Sequence, residues 1–559
     1  MTQASPLEAS PSRGAWNPLS LAWLASTWLA VFANWPLWQT LHDLPEMSTP
    51  RGIAFMLAFC GIVMAGMALC LTLAAWRWSI KPVIAVFLVS SAAGAYFMGT
   101  YRIVIDPTMM LNVMQTDWHE TRDLLSIRLV SFLMVLAVLP LWWLWRVRLA
   151  PLRPWPQLRR NGLSLLGAAA LLAGLMIVFF ADMSGTMRNH KSIRYLINPL
   201  NSFYALGVVA AGTQSVPAGP AEAIGTDAHI RPARSGASRP PLLILVVGET
   251  ARAANFSLNG YARPTNPALA ARLVMNFSQV TSCGTNTAAS VPCMFSSLGK
   301  AKFQSDKRSR ETLLDVVQHA GMAVLWIDNQ AGCKGVCDRV PHVQAAEAAP
   351  GVPPLPTALC QDGECLDEAL LHGLDERLAA LPADQRARGV LLVMHQMGSH
   401  GPAYAKRSPP DKKPFTPECQ TNVLQQCERQ SLINAYDNSI AYTDQVLAQA
   451  IDWLKAHETH YAGALLYLSD HGESLGENNL YLHGLPFSIA PSEQTHVPMV
   501  AWLSTSMQTA SGVNTGCMAD RLALPLSHDN LYHTTLGLLG VDTTTYLPPL
   551  DVFSACRSR

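Results

Sequence analysis

Long apolar stretches in the first two hundred residues are the feature that most constrains this chain. A helix needs about 20 mainly apolar residues to cross the hydrocarbon core of a bilayer. Five stretches meet this requirement: about 19–39, 53–76, 82–101, 128–147 and 162–181. The first is too rich in Trp, and too poorly preceded by basic residues, for a cleavable signal peptide. The sequence therefore predicts a membrane domain of five helices over residues 1–188.

Basic residues between the predicted spans indicate their orientation. Arg77 and Lys81 separate the second and third spans, and five arginines separate the fourth and fifth: Arg146, Arg148, Arg153, Arg159 and Arg160. The loops after the first and third spans carry fewer. Because basic loops stay in the cytoplasm, we expect a cytoplasmic N-terminus. An odd number of spans then places everything after residue 181 outside.

Residues 189–239 carry a different composition. The part up to 212 mixes apolar and basic positions and contains Pro199, which is typical of an interfacial segment rather than a sixth span. The rest is rich in Pro, Gly, Ala and Ser, as linkers are. A soluble domain over residues 240–559 follows.

The soluble domain alternates buried-strand runs with helical patterns. The runs are 241–249, 323–329, 389–398, 463–472 and 496–504, and the helical patterns are about 310–321, 366–382, 427–456 and 528–540. This alternation predicts an α/β fold with a mostly parallel sheet between helices. Ligands bind such sheets beyond the carboxyl ends of the strands.

Ten of the twelve cysteines follow residue 280, at short spacings. An even set of this kind on an exported domain is typical of a disulfide framework. Pairing between sequence neighbours gives Cys283 with Cys293, Cys333 with Cys337, Cys360 with Cys365 and Cys419 with Cys427, and leaves Cys517 and Cys556. The alternative is a zinc cluster at Cys333 and Cys337, but no matching CxxC lies nearby. The net charge of +1 gives no reason to expect a nucleic-acid partner.

Acids and histidines follow three of the strand runs. Glu249 ends the first, His395 to His400 end the third, and Asp470, His471 and Glu473 end the fourth, with Glu477 and His483 in the loop beyond. Carboxylates mixed with imidazoles suit zinc or a similar divalent metal. Each residue alone is explained as a helix cap or a core histidine; together, at one edge of a sheet, they favour a metal site.

The segment TSCGTNTAASVPCMFSSL (281–298) offers a nucleophile. Cys283 and Cys293 bracket a loop that opens a helix near Thr287, and a helix N-terminus favours phosphate. A threonine hydroxyl becomes a good nucleophile when metal coordination lowers its pKa. The alternative is that Thr285 or Thr287 only caps the helix.

A polar set also lies in the loop after the third span. Asn112, Thr116 and Glu120 are spaced i, i+4, i+8 and form one stripe if the loop is helical. The alternative is an ordinary solvated face.

Five motifs resemble those of the lipid A phosphoethanolamine transferases, including the mobile colistin-resistance enzymes, within the alkaline phosphatase and sulfatase superfamily. They are GETARAANFSLNGYARPTNP, TSCGTNTAASVPCMFSSLG, HQMGSHGPAY, QSLINAYDNS and YLSDHGESLGENNLYLHG. The resemblance covers nearly the whole chain. It implies a five-helix membrane domain and a sulfatase-like catalytic domain.

The resemblance also implies roles for particular residues. It implies one zinc, with a second possible, bound by Glu249, Thr287, Asp470 and His471, and it makes Thr287 the nucleophile. It implies substrate binding by Asn112, Thr116, Glu120, Lys334, His400, Glu473 and His483. A fifth disulfide would join Cys517 to Cys556.

The implied reaction moves phosphoethanolamine from phosphatidylethanolamine to a phosphate of lipid A, through a phosphoethanolamine-threonine intermediate. The enzyme would be a monomer of the inner membrane with a periplasmic catalytic domain, and it would confer polymyxin resistance. Two alternatives remain open. One is an enzyme of the same superfamily that modifies core sugars of lipopolysaccharide or transfers glycerophosphate. The other is a membrane-anchored binding protein without catalysis.

Overall fold

Contacts within the chain divide it into two units, which we describe separately. The computed structural model describes residues 15–211, 221–232, 238–306, 308–361 and 363–558, with the side chain of His119 left out. The first unit comprises Met1–Asp106 and Leu125–Gly207; the second comprises Pro107–Leu124 and Val208–Arg559. We call Pro107–Leu124 the docked segment, because it groups with the second unit although the chain on either side of it belongs to the first.

Within the described residues, four helices of the first unit are long and apolar enough to cross a membrane. They are Pro50–Leu73, Ile80–Tyr101, Ile127–Arg146 and Pro154–Val178. These helices match the second to fifth predicted spans. Helices this apolar, with many side chains exposed on the isolated chain, are suited to contact with lipid.

The first predicted span, 19–39, does not form one helix. An 11-residue α-helix, Pro18–Trp28, continues as a 5-residue π-helical turn, Leu29–Ala33, and a separate helix begins at Trp35. The break is at Asn34, whose side-chain amide donates to the carbonyl oxygens of Leu29 (2.9 Å) and Asn198 (2.7 Å). Pro36 follows, and it has no N–H to continue the helical ladder. The first of the five predicted spans is therefore not a single continuous helix.

The predicted interfacial segment forms short helices. It contains Ile193–Leu196 and the apolar helix Leu200–Ala210, and it follows the helix Phe180–Asn189. The predicted linker lies in part outside the described residues, at 212–220 and 233–237.

An eight-stranded sheet, counted over the described residues, is the centre of the second unit. Its order is Leu526–Ser527, Met275–Thr281, His496–Leu503, Ala462–Ser469, Pro241–Gly248, Val390–His395, Ala323–Asp328 and His342–Gln344. Only His496–Leu503 is antiparallel to its neighbours. The mostly parallel sheet is confirmed. The central strands are apolar along their whole length because both faces are covered, as Leu242 to Val247 illustrate.

Helices of this unit occupy the regions where the sequence predicted them. The longest is Arg429–Ala456, and the others at the predicted positions are Leu313–His319, Leu374–Ala380 and Asp529–Leu539. The helix Thr287–Met294 follows the strand Met275–Thr281 after a short loop.

Disulfides close the loops around the sheet. Over the described chain the bonds join Cys283 to Cys293, Cys333 to Cys337, Cys360 to Cys365, Cys419 to Cys427, and Cys517 to Cys556. These are the pairs that neighbour pairing predicts, with the leftover cysteines forming the fifth. A zinc cluster at Cys333 and Cys337 is excluded here because their sulfurs bond to each other.

Candidate active site

Parallel strand pairing brings the predicted metal ligands to one edge of the sheet. Gly248 pairs with Ser469, so the residues that follow them, Glu249 and Asp470, leave the sheet side by side. His471 comes next along the chain. All three side chains are fully buried, and one ligand atom from each lies within 4.8 Å of the others. The sheet register therefore creates a compact group of two carboxylates and one imidazole.

Thr287 joins this group from the start of the helix Thr287–Met294. Its Oγ1 lies 3.1 Å from Glu249 Oε2 and 3.5 Å from His471 Nε2. The cap of the helix is Asn286, whose side chain accepts from Ala289 N at 3.0 Å. Thr285 donates its hydroxyl proton to the carbonyl of Leu485 instead. The interpretation of either threonine as the cap is therefore wrong, and the Thr287 hydroxyl faces the acids.

Backbone contacts hold the ligand atoms in place. Asp470 Oδ1 accepts from Thr250 N (3.1 Å) and from His471 N (2.7 Å), while Asp470 Oδ2 has no hydrogen-bond partner among the described residues. His471 Nδ1 lies 3.0 Å from the carbonyl oxygen of Gly472, so Nδ1 carries the donated proton. His471 Nε2 then points at Asp470 Oδ2 (3.3 Å) and Glu249 Oε1 (3.4 Å).

The charges of this group fit a bound cation. Burial, reinforced by Glu249, raises the pKa of Asp470 to about 7. Although burial opposes it, the two acids raise the pKa of His471 to about 10, and His471 in turn lowers the pKa of Glu249. An extra proton on His471 thus balances the carboxylates. A divalent ion balances them better, and two carboxylates, an imidazole and a hydroxyl are ligands that zinc accepts.

Behind Glu249 lies a chain of buried groups, of which the sequence singled out His395 but not Asp328, Trp326 or Gln330. His395 Nε2 lies 4.0 Å from Glu249 Oε2, and its Nδ1 lies 3.3 Å from Asp328 Oδ2. Asp328 also accepts from Trp326 Nε1 at 2.7 Å. Gln330 Nε2 donates to Glu249 Oε2 at 3.2 Å. The signal was available, since Asp328 ends an apolar strand just as Glu249 and Asp470 do.

Three of the predicted substrate-binding residues, His400, Glu473 and His483, lie beside the candidate metal ligands. The ring centroids of His471 and His483 are 4.3 Å apart, and those of His400 and His483 are 5.6 Å apart. His483 Nδ1 lies 3.4 Å from Glu473 Oε1. Burial raises the pKa of Glu473 to about 8 and lowers that of His483 to about 3. The site therefore holds a neutral acid and a neutral base next to each other.

Lys334 lies in the loop closed by Cys333 and Cys337, in a left-handed backbone conformation with φ of 52°. Its ammonium donates to the carbonyl oxygen of Ala331 at 2.9 Å and faces that of Gln115 at 3.4 Å. Lys334 is thus placed against the docked segment.

The docked segment is not the single helix that the polar stripe requires. It forms two helices, Pro107–Gln115 and Trp118–Leu124, so Asn112 and Glu120 belong to different helices and Thr116 to neither. Asp117 Oδ1 accepts from Glu120 N at 2.9 Å, which starts the second helix. Thr116 donates its hydroxyl proton to the carbonyl of Asn112. The prediction of one continuous stripe is therefore wrong.

The segment nevertheless lies against the candidate site. Its first helix packs against the helix that begins at Thr287, and a Cβ added at Gly484 would meet the sulfur of Met109 at 2.8 Å. Glu120 is only 9% exposed. Burial lowers the pKa of His400, and the negative charge of Glu120 opposes this shift. Glu120 and His400 therefore share one local environment.

Comparisons with known proteins give the context of this geometry. The family described as "Phosphoethanolamine transferase EptA/EptB" matches residues 63–213, and the family described as "Sulfatase" matches residues 241–541. The chain is 42% identical over 556 residues to "Phosphoethanolamine transferase EptA" of Salmonella typhimurium, covering 96% of this chain and 97% of that protein. It is 38% identical over 536 residues to "Phosphatidylethanolamine transferase Mcr-1" of Escherichia coli, covering 94% and 95%.

A solved structure agrees over the full length. The "Integral membrane protein lipooligosaccharide phosphoethanolamine transferase A (EptA) from Neisseria meningitidis" superposes with a TM-score of 0.88 at 33% identity, covering 97% of this chain and 99% of that one. Together with the four apolar helices, this match makes the chain a multi-pass membrane protein. On the strength of both family matches and these full-length relatives, the chain belongs to the EptA/EptB family of phosphoethanolamine transferases.

Proposed function

We propose that the chain transfers phosphoethanolamine from phosphatidylethanolamine to a phosphate of lipid A, with Thr287 carrying the group between the two lipids. One observation supports the role of Thr287 above the others: its hydroxyl lies at the first turn of a helix, 3.1 Å from Glu249 Oε2. A helix N-terminus attracts phosphoryl oxygens. We propose phosphoethanolamine as the transferred group because the relatives are named for its transfer.

Glu249, Thr287, Asp470 and His471 are the residues that would hold a zinc ion in this proposal. Asp470 Oδ2, which has no hydrogen-bond partner among the described residues, and His471 Nε2 both point into the group; Nε2 would give up its extra proton when it binds a metal. Bound zinc would lower the pKa of the threonine hydroxyl and offset charge on the phosphoryl oxygens. His400 and His483 are the candidates for binding the substrate phosphate or a second ion.

In the first step Thr287 Oγ1 attacks phosphorus, and the bond from phosphorus to the glycerol oxygen breaks. Glu249 Oε2, 3.1 Å away, is the acceptor for the hydroxyl proton. Phosphoethanolamine then remains on the threonine. In the second step an oxygen of the acceptor phosphate attacks the same phosphorus, and Thr287 is released. Glu473, whose pKa burial raises to about 8, is the proton donor for the leaving glycerol oxygen and takes a proton back from the entering monoanionic phosphate, while the proton on Glu249 returns to Thr287.

The docked segment would bind the headgroup of the donor. Glu120 supplies a buried negative charge close to His400, which suits the ethanolamine ammonium. Asn112, Thr116 and Lys334 are the other proposed contacts. Both donor and acceptor are lipids, which explains why a membrane anchor accompanies the catalytic unit.

The proposed location is the inner membrane, where the protein would be a monomer. Its N-terminus would lie in the cytoplasm and its second unit, which carries the candidate active site, in the periplasm. Basic loops between the predicted spans support the orientation, in which the broken helix from Pro18–Trp28 to Trp35–His42 makes the first of five crossings. Five disulfides in the second unit support an oxidising compartment.

Expression in a susceptible Gram-negative host tests the proposal. Phosphoethanolamine adds an ammonium beside a lipid A phosphate and reduces the negative field that concentrates cationic peptides. We expect higher polymyxin resistance with the native chain, no change with Thr287→Ala, and an added phosphoethanolamine on lipid A by mass spectrometry. Phosphoethanolamine found only on core sugars would contradict the proposed acceptor. Its absence from every acceptor, with folded and zinc-loaded protein, would contradict the proposed reaction.

A further inference from the structure

A single buried arginine joins three parts of the catalytic unit. Arg407 Nε donates to the carbonyl oxygen of His400 (2.9 Å), Nη1 to Glu364 Oε2 (3.0 Å), and Nη2 to Asp123 Oδ2 (3.0 Å). Its side chain is 4% exposed. Every edge of the planar guanidinium is therefore used, each by a different segment of the chain.

Asp123 is the end of this connection in the docked segment. It lies in the helix Trp118–Leu124, is 3% exposed, and is also ion-paired with Lys406. Its carbonyl oxygen accepts from the Asn422 side chain at 2.5 Å. Arg407, Lys406 and Asn422, which lie outside the docked segment, thus all bind one residue within it.

Helix geometry connects Asp123 to the candidate headgroup site. Glu120 lies three residues earlier in the same helix, and residues at i and i+3 share a face. A displacement of Asp123 therefore displaces Glu120. Arg407 meanwhile holds the backbone of His400, so one guanidinium determines the spacing between Glu120 and His400.

The chemistry of the connection favours geometric control over stability. Burying charged groups costs desolvation, and an apolar replacement of a buried pair is often equally stable. Lysine has one ammonium in place of the guanidinium fork and could satisfy only part of the three contacts. A fork fixed on three sides defines distances rather than adding much to folding.

We infer that Arg407 and Asp123 are positioning residues for the lipid donor, holding Glu120 of the docked segment at the distance from His400 that the ethanolamine headgroup requires. The inference rests on the proposed function, because it takes Glu120 and His400 as headgroup contacts.

Arg407→Lys and Asp123→Asn test it in the full-length protein in lipid nanodiscs. We expect each variant to raise the KM for phosphatidylethanolamine by about tenfold while kcat changes less, as expected for lost binding. Hydrolysis of bis(4-nitrophenyl) phosphate, which has no ammonium, should stay within about twofold of the native rate. Hydrogen exchange should speed up in residues 107–124, and zinc content should be unchanged. The double variant should be no worse than the poorer single variant, since both break one connection.

Arg272→Lys is the matched control. Arg272, which follows the helix Pro267–Ala271, makes an ion pair through two nitrogens with Asp452, near the C-terminal end of the helix Arg429–Ala456. All of these measurements should therefore remain native.

An unchanged KM in both variants, or an equal loss on both substrates, overturns the inference. If Arg407→Lys does not fold, Asp123→Asn decides alone, because it keeps the shape of the side chain and leaves Arg407 bound to Glu364. A native enzyme that hydrolyses the soluble ester but does not use phosphatidylethanolamine contradicts the proposed function instead, so the two failures are distinguishable.

Discussion

The strand-end group and the docked segment approach the same site on different kinds of support. Glu249, Asp470 and His471 are 0% exposed and follow directly from paired strands. The docked segment consists of two short helices, and its position depends on side-chain contacts such as that of Asp123 with Arg407. Groups that bind a metal and react must be held within about 0.5 Å, which rigid elements provide. A surface segment that recognises a headgroup can differ in sequence from one protein to another without disturbing the core.

This comparison predicts that losses at the strand ends affect every substrate. The largest effect is expected for Thr287→Ala, which removes the proposed nucleophile and should lower transfer by about 10⁴-fold or more. Because Asn286 caps the helix, the variant should keep its thermal unfolding midpoint and its circular dichroism spectrum. Native-like transfer by Thr287→Ala would move the role elsewhere, with Thr285 the next candidate.

Asp470→Asn and His471→Ala should come next, because each removes a proposed zinc ligand. We expect zinc content, measured by inductively coupled plasma mass spectrometry, to fall together with turnover of both the lipid and the soluble ester, by about 10³-fold in rate. Asp444→Asn is the matched control. Asp444 is a buried acid that accepts from the backbone N–H groups of Ala268 and Leu269, so its loss should leave zinc content native. Full zinc occupancy in both ligand variants would refute the assignment.

Asp328→Asn should have a smaller effect, because Asp328 reaches Glu249 indirectly, through His395 and through the backbone of Gln330. Residues that orient metal ligands typically contribute 10–100-fold to affinity. We expect zinc affinity, measured by competition with a chelator, to fall by about that factor, with turnover largely restored by excess zinc. A variant whose zinc affinity is native would show that Asp328 serves the fold and not the site.

Glu120→Gln should have the smallest effect and the most selective one. It removes a charge without changing shape, so transfer from phosphatidylethanolamine should fall by about tenfold. Hydrolysis of bis(4-nitrophenyl) phosphate should hold, and Glu376→Gln, on the helix Leu374–Ala380, should leave both reactions unchanged. If both reactions fall equally in Glu120→Gln, the docked segment supports the structure of the site, and the contrast between the two regions is lost.

The sheet and the ligand group were accessible from the sequence because their signals are local. Apolar runs predict strands, and an acid or histidine at the end of each run points to one edge of a parallel sheet. The break at Asn34 was not accessible, since it depends on Asn198, which is 164 residues away. The connection through Arg407 was missed for the same reason.

The wrong expectation of one polar stripe in the docked segment has a different cause. A spacing of four residues predicts a stripe only if one helix spans all of it, and the side chain of Asp117 starts a new helix inside the interval.

The role of Asp328 was missed although its position at a strand end resembles that of Glu249. Its partner His395 lies on the neighbouring strand, and only the register of the sheet shows that they meet.

The antiparallel strand His496–Leu503 has a consequence for loop length. It separates the strand that leads to Thr287 from the strand that leads to Asp470, so these two strands lie about 10 Å apart. Residues 282–286 must bring Thr287, the proposed nucleophile, back across that gap. Ser282, Cys283 and Gly284 each have their backbone N–H bonded, to Thr495 O, His528 Nδ1 and Ser290 Oγ. The first three residues of this loop are therefore fixed by hydrogen bonds. One residue more or fewer would move the hydroxyl by up to about 3.5 Å, so the number of residues here matters as much as their chemistry.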